Sequence, residues 1–101
     1  MRMLLHARLP HEPFNTAVKN GTVGEKMKRI LDDLKPEAAY FMGIAGRRTA
    51  ILIVQLTDAS QIPVLAEPWF LTFNADVEFY PLMLGEDLAR AGLGALGKKW
   101  A

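Results

Sequence analysis

Thr49-Ala50-Ile51-Leu52-Ile53-Val54-Gln55-Leu56 is the stretch whose reading decides the fold. A short run rich in Ile, Leu and Val, preceded by Gly46-Arg47-Arg48, reads as a strand buried on both faces. Side chains alternate along a strand, so Ala50, Leu52, Val54 and Leu56 point one way and Ile51 and Ile53 the other. Both sets are apolar, so both sides of the sheet call for cover.

Working outward, Ala38–Ala45 ("AAYFMGIA") pairs with Arg47–Leu56 as a hairpin turning at Gly46. Arg2–Leu9 reads as a first strand with Met3, Leu5, Ala7 and Leu9 on one face and Leu4, His6 and Arg8 on the other. Pro10 ends it, and Pro13 suits the first position of a short helix carrying Phe14, Ala17 and Val18. Thr22 and Glu25 have capping-box spacing. Val23, Met27, Ile30, Leu31 and Leu34 then mark an amphipathic helix over 23–34, stopped at Lys35-Pro36. Ser60 is the expected N-cap of a second helix over 60–73, which Pro68 should kink or split. Ala75–Leu84 is the fourth strand, placed at an edge by Pro81, with Asp76, Glu78 and Tyr80 sharing one side. Gly85–Ala91 suits one or two helical turns. Gly92 to Ala101, with glycines at 92, 94 and 97, is expected to be a loose or partner-docked tail. The domain organisation is therefore a single domain over 1–91 and a tail over 92–101.

The order β-α-β-β-α-β is the ferredoxin-like pattern of an α+β protein. It implies a four-stranded antiparallel sheet in the order 4-1-3-2, with the helices on one face. The stretch around Ile51 and Ile53 is then central, and one of its faces lacks cover within the chain. A homodimer through that sheet face is the expected solution.

Composition narrows the function classes. Twelve basic against eleven acidic residues give a net charge of +1, which makes no electrostatic case for nucleic acid. The sequence has no cysteine, hence no disulfide, thiolate ligand or thiol nucleophile, and cytoplasmic residence is the expectation. "MRMLLHARLP" is too short and polar for a signal peptide, and no segment approaches a membrane-spanning length. No phosphate loop, dinucleotide fingerprint or nucleophile–base–orienter triad is present, so no cofactor is expected. His6, His11 and Glu12 lack any metal-ligand spacing, and no metal is expected. Gly43–Arg48 reads as a hairpin turn flanked by solvated arginines. Trp69, Phe70, Phe73, Tyr40 and Phe41 read as core, with a wall for a flat ligand as the alternative.

One constellation carries chemistry. His6 and Arg8 on the first strand and Glu78 and Tyr80 on the fourth lie on antiparallel neighbours in a 4-1-3-2 sheet. An imidazole, a guanidinium, a carboxylate and a phenol suit proton transfer on an anionic small molecule, with Glu78 or His6 as base and Arg8 on the negative charge. The competing reading is a polar rim or cross-strand ion pair.

The element order, the doubly apolar central strand and the segment Pro68–Met83, "PWFLTFNADVEFYPLM", resemble the dimeric α+β barrel group. That group includes muconolactone isomerases, antibiotic-biosynthesis-type monooxygenases and small bacterial proteins of unassigned function. The resemblance spans roughly Arg2–Leu84, and Trp69–Met83 is most similar to the muconolactone-isomerase-like branch. It implies two protomers with sheets face to face and a pocket beside the sheet. No residue here matches a catalytic residue of that group, and none carries over. The expected function is thus a homodimeric barrel protein binding a small molecule, and the alternative is a cofactor-independent isomerase or monooxygenase.

Overall fold

The computed structural model describes residues 1–101. In chain order they form β1 (Arg2–Leu9), α1 (His11–Lys19), α2 (Val23–Leu34), β2 (Ala38–Ile44), β3 (Arg47–Gln55), α3 (Gln61–Phe73), β4 (Asp76–Pro81), α4 (Gly85–Ala91) and α5 (Leu93–Lys99). The four strands make one antiparallel sheet in the order β2-β3-β1-β4, the 4-1-3-2 arrangement read from its other edge. The βαββαβ order is that of a ferredoxin-like α+β domain, with α1 added in the first crossover.

Parity along the strands sorts their side chains between two environments. Met3, Leu5, Ala7 and Leu9 of β1 are buried, as are Ala50, Leu52 and Val54 of β3. They meet Ile30 of α2 and Leu65, Trp69 and Phe73 of α3 in one core, with Phe14 of α1 packed against it. The sheet residues in this core share a single parity, so the helices cover one face. Trp69 and Phe73 are fully enclosed, and the rings of Phe14 and Phe73 stand 5.1 Å apart at a tilted angle. Such aromatic contacts contribute beyond the area they bury.

Left-handed residues punctuate the chain where the elements must stop. Lys35 (φ 47°) ends α2, and Asn74 (φ 55°) ends α3. Ala45 and Gly46 (φ 51° and 75°) form the two-residue turn between β2 and β3, where both central positions need positive φ. Pro81 closes β4, an edge strand, where its missing N–H costs no ladder bond.

Several local expectations are corrected. The capping box at Thr22 does not form: Asn20 Oδ1 accepts from the Thr22 amide and hydroxyl, which takes the Thr22 side chain away from the helix end. Ser60 sits at the N-cap position of α3 without a side-chain cap, because its hydroxyl donates to Asp58. The Gln61 side chain instead accepts from the Thr57 and Asp58 amides at 2.7 and 3.3 Å. Pro68 does not split α3, which runs unbroken over thirteen residues with Trp69 and Phe73 anchoring its second half in the core. The glycine-spaced segment after Gly92 is helical rather than loose, as α5.

Candidate functional site

The register fixes which side chains meet on the face away from the helices. Three rows cross the sheet there from β2 to β4. They are Met42–Thr49–Arg8–Asp76, Tyr40–Ile51–His6–Glu78 and Ala38–Ile53–Leu4–Tyr80. Directly opposed residues on antiparallel strands have Cβ atoms about 4.5–5.5 Å apart. His6, Arg8, Glu78 and Tyr80 therefore share one patch, His6 facing Glu78 across the β1–β4 ladder. Half-buried Leu4, Ile51 and Ile53 adjoin it, Thr49 in the row of Arg8 is buried, and the core helices pack on the opposite face.

Within the patch the Tyr80 hydroxyl donates to Glu78 Oε2. That bond, followed by burial and the nearby negative charge, holds the Tyr80 phenol above its ordinary value of 10.0. Arg8 faces Asp76 in register but makes no ion pair. The chain's ion pairs are Arg2–Glu37, Lys28–Asp32 and Arg90–Asp87. The cross-strand ion-pair reading of the patch therefore fails for Arg8. His6 Nδ1 is buried without a hydrogen-bond partner in the chain, a costly arrangement for a polar atom. The patch thus offers a guanidinium that forms no ion pair although it stands opposite Asp76, an imidazole nitrogen without a partner and a phenol–carboxylate pair. These are the groups needed to hold an anion and to move one proton.

At the end of the same sheet, Glu37 accepts from Arg2 Nε at 3.0 Å and from Gln55 Nε2. These hydrogen bonds, that from Gln55 foremost, hold the Glu37 carboxyl below its usual range. This cluster ties the start of β2 to the β1–β3 pair and needs no ligand to explain it.

Two grooves lie elsewhere. One, of about 630 Å³, runs beside β2 on the helix side and is lined by Phe14, Met27, Phe41, Arg47 and Arg48 among others. Arg48 was expected to be solvated. It is half-buried instead, with its guanidinium 4.5 Å from the Phe14 ring centre and its Nη1 donating to Asn15 Oδ1 at 2.7 Å. The larger groove, about 1030 Å³, lies between α2 and α3. Neither includes His6, Arg8, Glu78 or Tyr80.

The aromatic set is divided by the structure. Trp69 and Phe73 are core, Phe41 lines the smaller groove, and Tyr40, 59 % exposed, lies in the row of His6 and Glu78. Tyr40 is the residue that sequence reasoning did not assign to the patch, although the Ala45-Gly46 turn pairs it with Ile51 by simple counting. His11 and Glu12 sit at the start of α1, where Glu12 accepts from the Thr16 amide and hydroxyl. No group of three or more His, Cys, Asp or Glu side chains is placed to hold a metal ion. No helix is long and apolar enough to cross a membrane.

With this geometry in hand, comparison with protein-family models, curated proteins and solved structures finds no match to the chain. The assignment of the patch therefore rests on its own residues.

Proposed function

We propose that the chain acts as a homodimer of the dimeric α+β barrel kind, its open sheet faces apposed, and binds a small anionic molecule between them. The observation that carries this reading is the composition of the open face. An apolar band of Leu4, Ile51 and Ile53 lies beside Arg8, which forms no ion pair, and His6 with an unpartnered nitrogen. Apposing two such faces buries the band and leaves the polar patches to enclose a ligand. Arg8 would meet the negative charge, and Leu4, Ile51 and Tyr40 would contact the apolar part.

Thermal unfolding with a panel of small aromatic and aliphatic carboxylates tests the binding. At least one should raise the melting temperature of the wild type, and Arg8→Ala should abolish that rise. Arg8 is exposed, so the same change should alter stability without ligand by no more than about 0.5 kcal/mol. A loss of stability with the ligand response intact would assign Arg8 to structure.

A cofactor-independent isomerase or monooxygenase is the second reading, in line with the muconolactone-isomerase-like resemblance. The observation in its favour is the Tyr80–Glu78 hydrogen bond facing His6, a phenol donating to a carboxylate opposite an imidazole. In that case Glu78→Gln would abolish turnover of a bound carboxylate while leaving its binding intact.

A further inference from the structure

The chain exposes more surface than a compact molecule of its mass. Its accessible area is 6820 Å², against about 5700 Å² expected for a folded monomer of 11.2 kDa. Its radius of gyration is 17.2 Å where about 13 Å is typical of a domain of this length. The molecule measures 60 × 29 × 19 Å, and the arm that follows β4 after Pro81 carries α4 and α5. Neither α4 nor α5 has a buried residue, and neither is among the elements that pack closely on one another.

Such an arm is not self-supporting. Each of its helices has seven residues, well short of the roughly 12–15 at which an isolated helix becomes even marginal in water. Gly94 and Gly97 inside α5 weaken it further. Leu93, Leu96 and Trp100 recur at i, i+3 and i+7 and form one apolar stripe, with Trp100 76 % exposed. Lys98 and Lys99 close α5 beside that stripe.

The groove between α2 and α3 has the complementary character. Ile30, Pro63, Val64, Pro68 and Leu71 supply its apolar surface, and Leu71 is 82 % exposed. Glu25, Asp32, Asp33 and Glu67 outnumber Lys28 and Arg29 around it, and of the four acids only Asp32 has an ion-pair partner. The chain's own arm does not enter this groove.

We infer that the arm clasps a second copy of this chain, seating Leu93, Leu96 and Trp100 in that copy's acid-edged α2–α3 groove. Two arms and two grooves related by a two-fold axis satisfy each other and close the assembly. The surplus area of about 1100 Å² per chain is of the size that one partner buries in a standard stable interface, about 800 Å². The inference rests on the homodimer reading in needing a second copy, but it uses none of the residues of the open sheet face.

Because the chain lacks cysteine, one introduced thiol per chain reports a contact cleanly. Ala95→Cys and Leu71→Cys chains, mixed and treated with a short bis-maleimide, should give a product of twice the chain mass containing one of each. Neither variant alone should give an equivalent yield. In parallel, Lys98→Glu with Lys99→Glu should weaken the dimer roughly three- to tenfold, and Asp33→Lys with Glu67→Lys should do the same. Mixing the two doubly reversed chains should restore the wild-type affinity, because each arm then meets a groove of opposite charge. A wild-type dimer without the mixed cross-link and indifferent to charge reversal would overturn the arm exchange while leaving the sheet dimer standing. A chain that is monomeric at every concentration and never cross-links would overturn both.

Discussion

The two faces of this one sheet are made from the same strands but meet different surroundings. On the helix side, Leu5, Ala7, Ala50 and Leu52 lose all contact with solvent beneath Trp69 and Phe73. On the other side, Leu4, Ile51 and Ile53 are equally apolar and only half-buried, and His6, Arg8, Glu78 and Tyr80 stand among them. A strand with one covered and one wet face ordinarily alternates apolar and polar residues. β3 does not alternate: Ala50–Val54 is apolar throughout. The band of Leu4, Ile51 and Ile53 on the open face is composed like an interior, which is the physical basis for giving it a partner.

Substitutions on adjacent residues of β3 break the comparison most sharply. Leu52→Ala removes a fully enclosed side chain and should cost about 2–5 kcal/mol of stability in urea unfolding, whatever the oligomeric state. Ile53→Lys should leave the helix-side core folded, with near-native circular dichroism, yet halve the mass in solution. Equal global destabilisation by both would mean that the open face is sealed within the single chain.

The smallest effect concerns the polar patch. The Tyr80 phenol is held above 10.0 chiefly by its hydrogen bond to Glu78, so Glu78→Gln should bring it back toward that value in an ultraviolet titration. The sign for stability follows from linkage. A folded-state value above the unfolded one stabilises the fold at pH below about 10, and this contribution fades as pH rises through the folded value. Alkaline unfolding should therefore come at slightly lower pH in Glu78→Gln than in the wild type. An unshifted Tyr80 would show that the hydrogen bond does not persist in solution.

Much of this architecture was legible because it depends on period and punctuation. The two-residue repeat placed His6 and Arg8 on one face of β1 and Asp76, Glu78 and Tyr80 on one face of β4, and the βαββαβ order made those strands neighbours. What was not legible depends on competition between nearby groups. Thr22 and Glu25 have the spacing of a capping box, but the Asn20 side chain captures Thr22 first. Arg48 follows a turn glycine as a solvated residue would, yet Phe14 and Asn15 of α1 hold it from a distance in sequence that no local pattern reveals. Glycines 92, 94 and 97 argued against a helix, and local propensity was overruled in α5. An element that contradicts its own propensity and buries no residue in its own chain is the expected mark of a segment stabilised by a partner.

The central claim is that the open face and the arm belong to an interface between two copies. Its most direct test is the molar mass of the wild-type chain by light scattering across a dilution series centred on micromolar concentration. The account predicts twice the 11.2 kDa chain mass at the upper concentrations, falling toward one chain mass on dilution or on Ile53→Lys substitution. A wild-type mass of one chain throughout the series, with Leu4, Ile51 and Ile53 protected from solvent all the same, would contradict it.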